Sequence, residues 1–192
     1  GLTLLTTIGI ITALVGGFLA CFQTDIKKML AYSTISQLGL MFVGLGANAA
    51  VPTLFHLATH AFFKSMLFLA AGIIIHATHT QDMRKMGGLA RKMPITTVVF
   101  SVGAFSLAGL VPLSGFFSKD EIFASVLKTG NTTIFALGLV MALTTALYVS
   151  KAWFTVFFGK PRTKGVHEGT ALELVPVSIL AALTLVLGFF SP

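Results

Sequence analysis

Long apolar stretches, separated by short polar segments, make up most of the chain. A membrane-spanning helix needs roughly 20 predominantly apolar residues, and most of these stretches reach about that length. The pattern therefore predicts an all-α, polytopic membrane protein with about six transmembrane helices. The predicted spans cover residues 2–22, 29–46, 52–76, 94–127, 132–158 and 171–190.

The fourth predicted span, residues 94–127, is too long for one straight helix. At 1.5 Å per residue it would extend about 51 Å, well beyond a hydrocarbon core of about 30 Å. Pro112 and Gly115 stand in the middle of this segment, and both residue types interrupt helices. We therefore expect a single discontinuous helix, with a span followed by a re-entrant segment as the alternative.

The charges of the connecting loops discriminate between these two arrangements. If the fourth segment crosses once, loops 23–28, 77–93 and 159–169 share one side and carry nine basic residues, against Lys128 alone on the other. If it crosses twice, the division becomes six against four. Short loops rich in Lys and Arg remain on the cytoplasmic, matrix or stromal side, so the charges favour one crossing.

The composition agrees with a membrane protein and limits its chemistry. Of the residues, 55% are hydrophobic and only 10% are charged, whereas soluble domains carry about 25% charged residues. The net charge of +7 resides in short loops, so it reports topology rather than nucleic-acid binding. Cys21 is the single cysteine, which excludes an internal disulfide and argues against a cysteine-ligated iron–sulfur cluster. No cofactor is predicted in this chain, which begins within an apolar run and is expected to be part of a longer protein.

The third span carries three basic residues on one helical face. His56, His60 and Lys64 are spaced at i, i+4 and i+8, which aligns them in a ladder about 12 Å long. Ionisable residues at membrane depth are costly and indicate function. Imidazole exchanges protons near neutral pH, and a lysine shielded from water can exist in its neutral form. The ladder therefore predicts a proton path; hydrogen bonding between helices is the alternative, and a metal site lacks a third ligand in this span.

A second group of ionisable residues follows the predicted break in the fourth span. Lys119, Asp120 and Glu121 are consecutive, and discontinuous helices expose backbone groups and dipole ends that stabilise ions. We expect this group to be buried, with a helix end at the membrane surface as the alternative. Lys151 lies near the cytoplasmic end of the fifth span, where participation in the site and snorkelling to the surface both remain open.

Four sequence motifs, taken in order, resemble the largest antiporter-like subunit of respiratory complex I, the subunit L type of bacteria and subunit 5 type of mitochondria. The similarity extends over nearly the whole chain and covers the second half of that family's membrane domain. The motifs are DIKKMLAYSTISQLG at 25–39, FHLATHAFFKSMLFL at 55–69, KMGGL at 85–89 and GFFSKDEI at 115–122.

The resemblance implies half of an inverted-repeat fold and a proton path through buried lysines and histidines. It implies a five-helix repeat at 1–158, a basic cytoplasmic loop at 159–170 and an additional helix at 171–190. His56, His60 and Lys64 match the family's histidine relay. Lys119 matches the broken-helix lysine that exchanges protons with the outer side.

The resemblance further implies a place among the membrane subunits of NADH:quinone oxidoreductase, a proton-translocating enzyme complex. The expected location is the bacterial inner membrane, in preference to the mitochondrial inner membrane or thylakoid. No flavin, iron–sulfur or quinone site is identified in this chain. A subunit of a multi-subunit sodium/proton antiporter or of a membrane-bound hydrogenase remains an alternative, as does a structural scaffold.

Overall fold

The computed structural model describes residues 1–189, and in that range it contains seven α-helices, two short 3-10 turns and no extended strand. Five of the helices are long and apolar enough to cross a membrane, which confirms the predicted all-α, polytopic class. The predicted end of the last span, Phe190, lies outside the described residues. The helices are α1 (Leu2–Phe22), α2 (Ile26–Gly46), α3 (Ala50–Thr78), α4 (Pro94–Ala108), α5 (Ser114–Lys128), α6 (Thr132–Phe157) and α7 (Ala171–Phe189).

Capping residues account for where the helices begin. The carboxylate of Asp25 accepts a hydrogen bond from the backbone N–H of Lys28 at 2.9 Å, which is an N-cap interaction. Helix α2 therefore begins at Ile26 rather than at the predicted Met29. Pro94 occupies the first turn of α4, where its missing N–H costs nothing.

The predicted interruption of the fourth span is confirmed. Helix α4 ends at Ala108, its C-cap Gly109 adopts the left-handed conformation with φ of 80°, and α5 begins at Ser114. The backbone N–H of Gly115 donates to the Ser106 hydroxyl at 3.1 Å. The start of α5 therefore lies beside the last turn of α4 rather than extending its axis.

The two half-helices together cross once, antiparallel to α3. Gly103 of α4 packs against Leu67 of α3, and Ser118 of α5 hydrogen-bonds His56 of α3. Residue numbers therefore increase along α4 and α5 in the same direction in which they decrease along α3. A re-entrant α5 would instead return toward the later residues of α3.

The three basic loops meet at one end of the helices. The backbone N–H of Ile26 donates to Gln81 at 3.0 Å, and that of Gly88 donates to Phe158 at 3.1 Å. The Thr163 hydroxyl donates to the Lys85 carbonyl at 3.0 Å. This arrangement is the one that the loop charges favoured.

Small residues bring α1 and α2 into close contact. A Cβ atom on Gly9 would lie 2.7 Å from the backbone nitrogen of Val43, and one on Gly16 would lie 2.8 Å from that of Ser36. Helices in membranes associate through such close backbone approach. The packing keeps the inner face of α2 next to α3 and α6, where the candidate site lies.

Candidate functional site

Helix α3 directs the predicted ladder into the protein interior. The exposed fractions of His56, His60 and Lys64 are 0%, 5% and 4%. Lys64 is at the centre of the 29-residue helix, too far from either end for its side chain to reach a membrane surface easily. All three groups are therefore sheltered from lipid by neighbouring helices.

His56 joins three helices through its two ring nitrogens. Nδ1 is 2.8 Å from the hydroxyl oxygen of Ser118 on α5, and Nε2 is 3.3 Å from the amide oxygen of Gln37 on α2. The Thr59 hydroxyl also donates to Ser118, at 3.3 Å. The amide oxygen can only accept, so in the neutral ring Nε2–H donates to Gln37 and Nδ1 accepts from the Ser118 hydroxyl.

Lys64 is held by neutral groups. Its ammonium donates to the hydroxyl oxygen of Ser33 on α2 and lies 5.7 Å from the ring centroid of Phe68. The two ion pairs found within residues 1–189, His76–Glu173 and Arg84–Asp82, do not involve the ladder. A hydroxyl and a cation–π contact therefore support any charge on Lys64.

His60 lies on the same face of α3, between His56 and Lys64. Its Nε2 is buried and has no hydrogen-bond partner within residues 1–189. The ring lies 6.0 Å from that of His56 and edge-on to Phe63 at 5.3 Å, measured between centroids. His60 thus retains a free ring nitrogen between Lys64 and His56.

The break in the fourth span provides a place for the Lys119 ammonium. Lys119 is 4% exposed, and its Nζ donates to the carbonyl oxygen of Leu107 at 2.5 Å. Leu107 is in the last turn of α4, where carbonyls lack intrahelical partners and the helix dipole is negative. Lys119 is thus buried at the break, next in sequence to Ser118, which contacts His56.

Asp120 and Glu121 do not accompany Lys119 into the interior. Asp120 is exposed and Glu121 is only partly buried, so the expectation of a buried group of three is wrong. Successive residues of an α-helix point about 100° apart. Only Lys119 therefore faces α3 and α4.

Lys151 lies apart from the ladder. Its side chain is exposed, and Nζ donates to the carbonyl oxygens of Cys21 at 2.8 Å and Gln23 at 3.1 Å. These carbonyls belong to the end of α1 that adjoins the basic loops. The geometry matches snorkelling toward that surface.

Several polar partners of the ladder were not assigned from the sequence. Each is fully buried and contacts a helix distant along the chain, so local spacing does not reveal the contact. Ser33 and Gln37 do carry a signal, because they are spaced at i and i+4 within an apolar span. The direct partners are Ser33, Gln37 and Ser118, and the Thr145 hydroxyl in turn accepts from Gln37.

Comparison with known proteins shows the family to which the sequence is similar. Residues 2–145 match the family model described as NADH:quinone oxidoreductase/Mrp antiporter, TM. The chain is 45% identical over 186 residues to the NADH-quinone oxidoreductase subunit L of Rickettsia bellii (strain RML369-C), covering 94% of this chain. It covers only 29% of that relative's length.

Solved membrane complexes contain a chain with the same fold. In the membrane-bound sulfane sulfur reductase, an archaeal respiratory complex, the TM-score is 0.92 at 34% identity, covering 97% of this chain and 32% of that one. In the Mrp complex from Dietzia sp. DQ12-45-1b, the TM-score is 0.90 at 24% identity, covering 98% and 44%. The second similarity concerns the fold alone.

Proposed function

This chain belongs to the NADH:quinone oxidoreductase/Mrp antiporter membrane family, and on that premise we propose that it translocates protons within the membrane arm of an NADH:quinone oxidoreductase. The carrying observation is the buried row Lys64, His60, His56 and Lys119, which extends from α3 to the break between α4 and α5. Its partners are other membrane subunits of that enzyme, in the bacterial inner membrane.

In our proposal the proton moves from Lys64 toward the break between α4 and α5. A proton leaving Lys64 passes to the free nitrogen of His60 and then to His56, with water bridging the gaps between rungs. The imidazolium form of His56 releases its Nδ1 proton toward Ser118 and becomes neutral, and Lys119 receives the proton beside the Leu107 carbonyl. Helix α5 then leads to the side opposite the basic loops.

The energy for this transfer comes from outside the chain in our proposal. Moving one elementary charge against 100 mV costs about 2.3 kcal/mol, so the charging of Lys64 must be driven. A change of charge in a neighbouring subunit would switch Lys64 between its charged and neutral forms. The absence of a carboxylate partner for Lys64 within residues 1–189 leaves its charge sensitive to such a change.

The side-chain atoms that the row offers favour protons over sodium ions as the transported species. The four groups of the row offer imidazole and amine nitrogens, whereas hard cations are bound by sets of oxygen ligands. A sodium/proton antiporter subunit is the second candidate, because the matched family includes Mrp antiporters. Pumping that requires sodium at constant ionic strength would favour this second candidate.

Replacement of the two lysines in the complete enzyme complex tests the proposal. We expect Lys64→Ala and Lys119→Ala each to lower the number of protons moved per NADH oxidised, because each removes one station of the row. The measurement is proton uptake by proteoliposomes during a known amount of NADH oxidation. Lys128→Ala is the matched control, because Lys128 is an exposed lysine at the end of the same helix as Lys119.

The outcome that contradicts the proposal is equally specific. If both lysine variants assemble and retain the stoichiometry of the Lys128→Ala control, the row does not carry protons. The fold would then serve as a scaffold. Assembly is checked by native electrophoresis, so that loss of a subunit is not mistaken for a lower pumping stoichiometry.

A further inference from the structure

Two backbone N–H groups in the first turn of α4 require an acceptor from outside the helix. The N–H groups at the start of any helix lack intrahelical partners. In α4, Pro94 has no N–H, and the N–H of Thr97 donates to the Met93 carbonyl at 2.9 Å, which starts the helical pattern. Met93 is the N-cap residue and provides no side-chain cap. The N–H groups of Ile95 and Thr96 are therefore the two that remain.

Glu168, in the loop between α6 and α7, accepts from both. Its Oε2 is 2.8 Å from the backbone nitrogen of Ile95 and 3.4 Å from that of Thr96. Its Oε1 accepts from the Thr96 hydroxyl and from the backbone N–H of Gly169 at 3.3 Å. Both carboxylate oxygens are thus engaged, and a negative charge at this end of a helix is favoured by the helix dipole.

The loop that carries Glu168 is anchored on both sides of it. Before Glu168, the Thr163 hydroxyl donates to the Lys85 carbonyl at 3.0 Å. After it, a Cβ atom on Gly169 would lie 2.8 Å from a methyl carbon of Ile73 on α3, so the backbone there packs directly against that helix. The carboxylate is therefore held against α4 by a backbone that is itself fixed.

The other end of α4 holds the ammonium of Lys119. The backbone N–H of Gly109 donates to the carbonyls of Phe105 and Ser106 at 3.0 Å. The carbonyl of Leu107 instead accepts from Lys119 Nζ. At 1.5 Å per residue, this carbonyl is about 17 Å along the axis from the capped first turn. A carboxylate and an ammonium therefore bind opposite ends of one half-helix, each at the end where the dipole favours its charge.

We propose that Glu168 is a positioning residue of the relay, which holds the first turn of α4 and thereby fixes the Leu107 carbonyl to which Lys119 binds. This inference rests on the proposed function and adds the loop between α6 and α7 to the relay. Because the fourth span is interrupted, no continuous helix beyond Ala108 fixes the position of α4. A shift of its first turn is therefore carried by the 15-residue helix to its last carbonyls.

Removal of the carboxylate tests this role in the complete complex. Glu168→Ala is expected to lower the rate of proton pumping about 3- to 10-fold, the effect of losing one helix cap. The matched control is Glu173→Ala. Glu173 caps α7, where it accepts from the N–H of Thr170 at 2.8 Å and from its hydroxyl at 2.9 Å, and α7 provides no group of the row. Equal rates in the two variants would overturn the proposal.

A conservative replacement separates the cap from general packing. Glu168→Gln keeps the length of the side chain and one acceptor oxygen, so its pumping rate is expected to lie between those of the wild type and Glu168→Ala. A rate no higher than that of Glu168→Ala would contradict a hydrogen-bonded cap. If Glu168→Ala fails to assemble, Glu168→Gln is compared with Glu173→Gln, and equal rates would again overturn the proposal.

A double substitution shows whether Glu168 acts through Lys119. Adding Glu168→Ala to Lys119→Ala is expected to cause no further loss of pumping, since both act through the contact with the Leu107 carbonyl. A further loss would contradict this link, because a purely structural role would weaken the complex with or without Lys119. Reduced pumping in Lys119→Ala with a wild-type rate in Glu168→Ala would refute the positioning role alone, whereas normal pumping in Lys119→Ala would refute the proposed function.

Discussion

At the scale of single residues, Ser118 is the link between the ladder and the broken helix. Its hydroxyl lies 2.8 Å from His56 Nδ1 and 3.3 Å from Thr59. We expect Ser118→Ala to slow pumping about 3- to 10-fold, because the buried imidazole loses one hydrogen-bond partner. The rate is measured as proton uptake by proteoliposomes containing the complete complex.

The control for Ser118 is on the same helix. Ser125 donates to the Glu121 carbonyl within α5 at 2.8 Å, so Ser125→Ala removes a hydroxyl without touching the ladder. A rate for Ser118→Ala equal to that of Ser125→Ala would show that the connection to α5 passes through another group.

The same scale shows what the sequence could reveal about the site. His56, His60 and Lys64 share one helix, so the 3.6-residue period was enough to place them on one face. Ser118 is 62 positions from His56 along the chain, and no local pattern reports such a contact. Adjacent residues can also differ in burial, as the buried Lys119 and the exposed Asp120 show. The period predicts which residues align, whereas burial depends on what packs against the helix.

At the scale of helices, the close approach of α4 and α5 depends on Gly115. A Cβ atom there would collide with the backbone carbonyl of Ser106. We expect Gly115→Ala to destabilise the protein by about 1–3 kcal/mol, the usual cost of overpacking. The apparent midpoint of thermal unfolding of the purified complex, followed by tryptophan fluorescence, should fall accordingly.

Gly72 provides the matched control for this substitution. It lies within α3, and a Cβ atom at Gly72 would meet nothing within 4 Å. Gly72→Ala is expected to be neutral or to stabilise the helix by up to about 1 kcal/mol. If Gly115→Ala unfolds no earlier than Gly72→Ala, the tight junction is not a requirement of the fold.

The interruption itself could be predicted from sequence, but its geometry could not. The length of segment 94–127, with Pro112 and Gly115 inside it, required a break of some kind. Nothing local indicated that Lys119 reaches back to the Leu107 carbonyl. That contact depends on the path of the loop between the half-helices, which places residues twelve positions apart side by side.

At the scale of the whole molecule, the fold collects the basic loops at one end. Backbone hydrogen bonds join Ile26 to Gln81 and Gly88 to Phe158, and the Arg84 guanidinium lowers the pKa of the Asp82 carboxyl to about 2. This end holds nine of the basic residues. The orientation could be predicted from the sequence, because it depends on how many basic residues the loops on each side carry. That count needs only the order of the spans and no knowledge of how the helices pack.

This arrangement predicts which surfaces face the cytoplasm. In a complex in which Cys21 of this chain is replaced, Lys160→Cys is expected to be labelled on this subunit by a membrane-impermeant maleimide only from the cytoplasmic side, because Lys160 is in a basic loop. Asn131→Cys, in the turn between α5 and α6, is expected to react only from the opposite side. The measurement is labelling of right-side-out and inverted membrane vesicles in parallel. Labelling of both positions from the same side would mean that α6 does not cross the membrane, and the direction assigned to the relay would lose its basis.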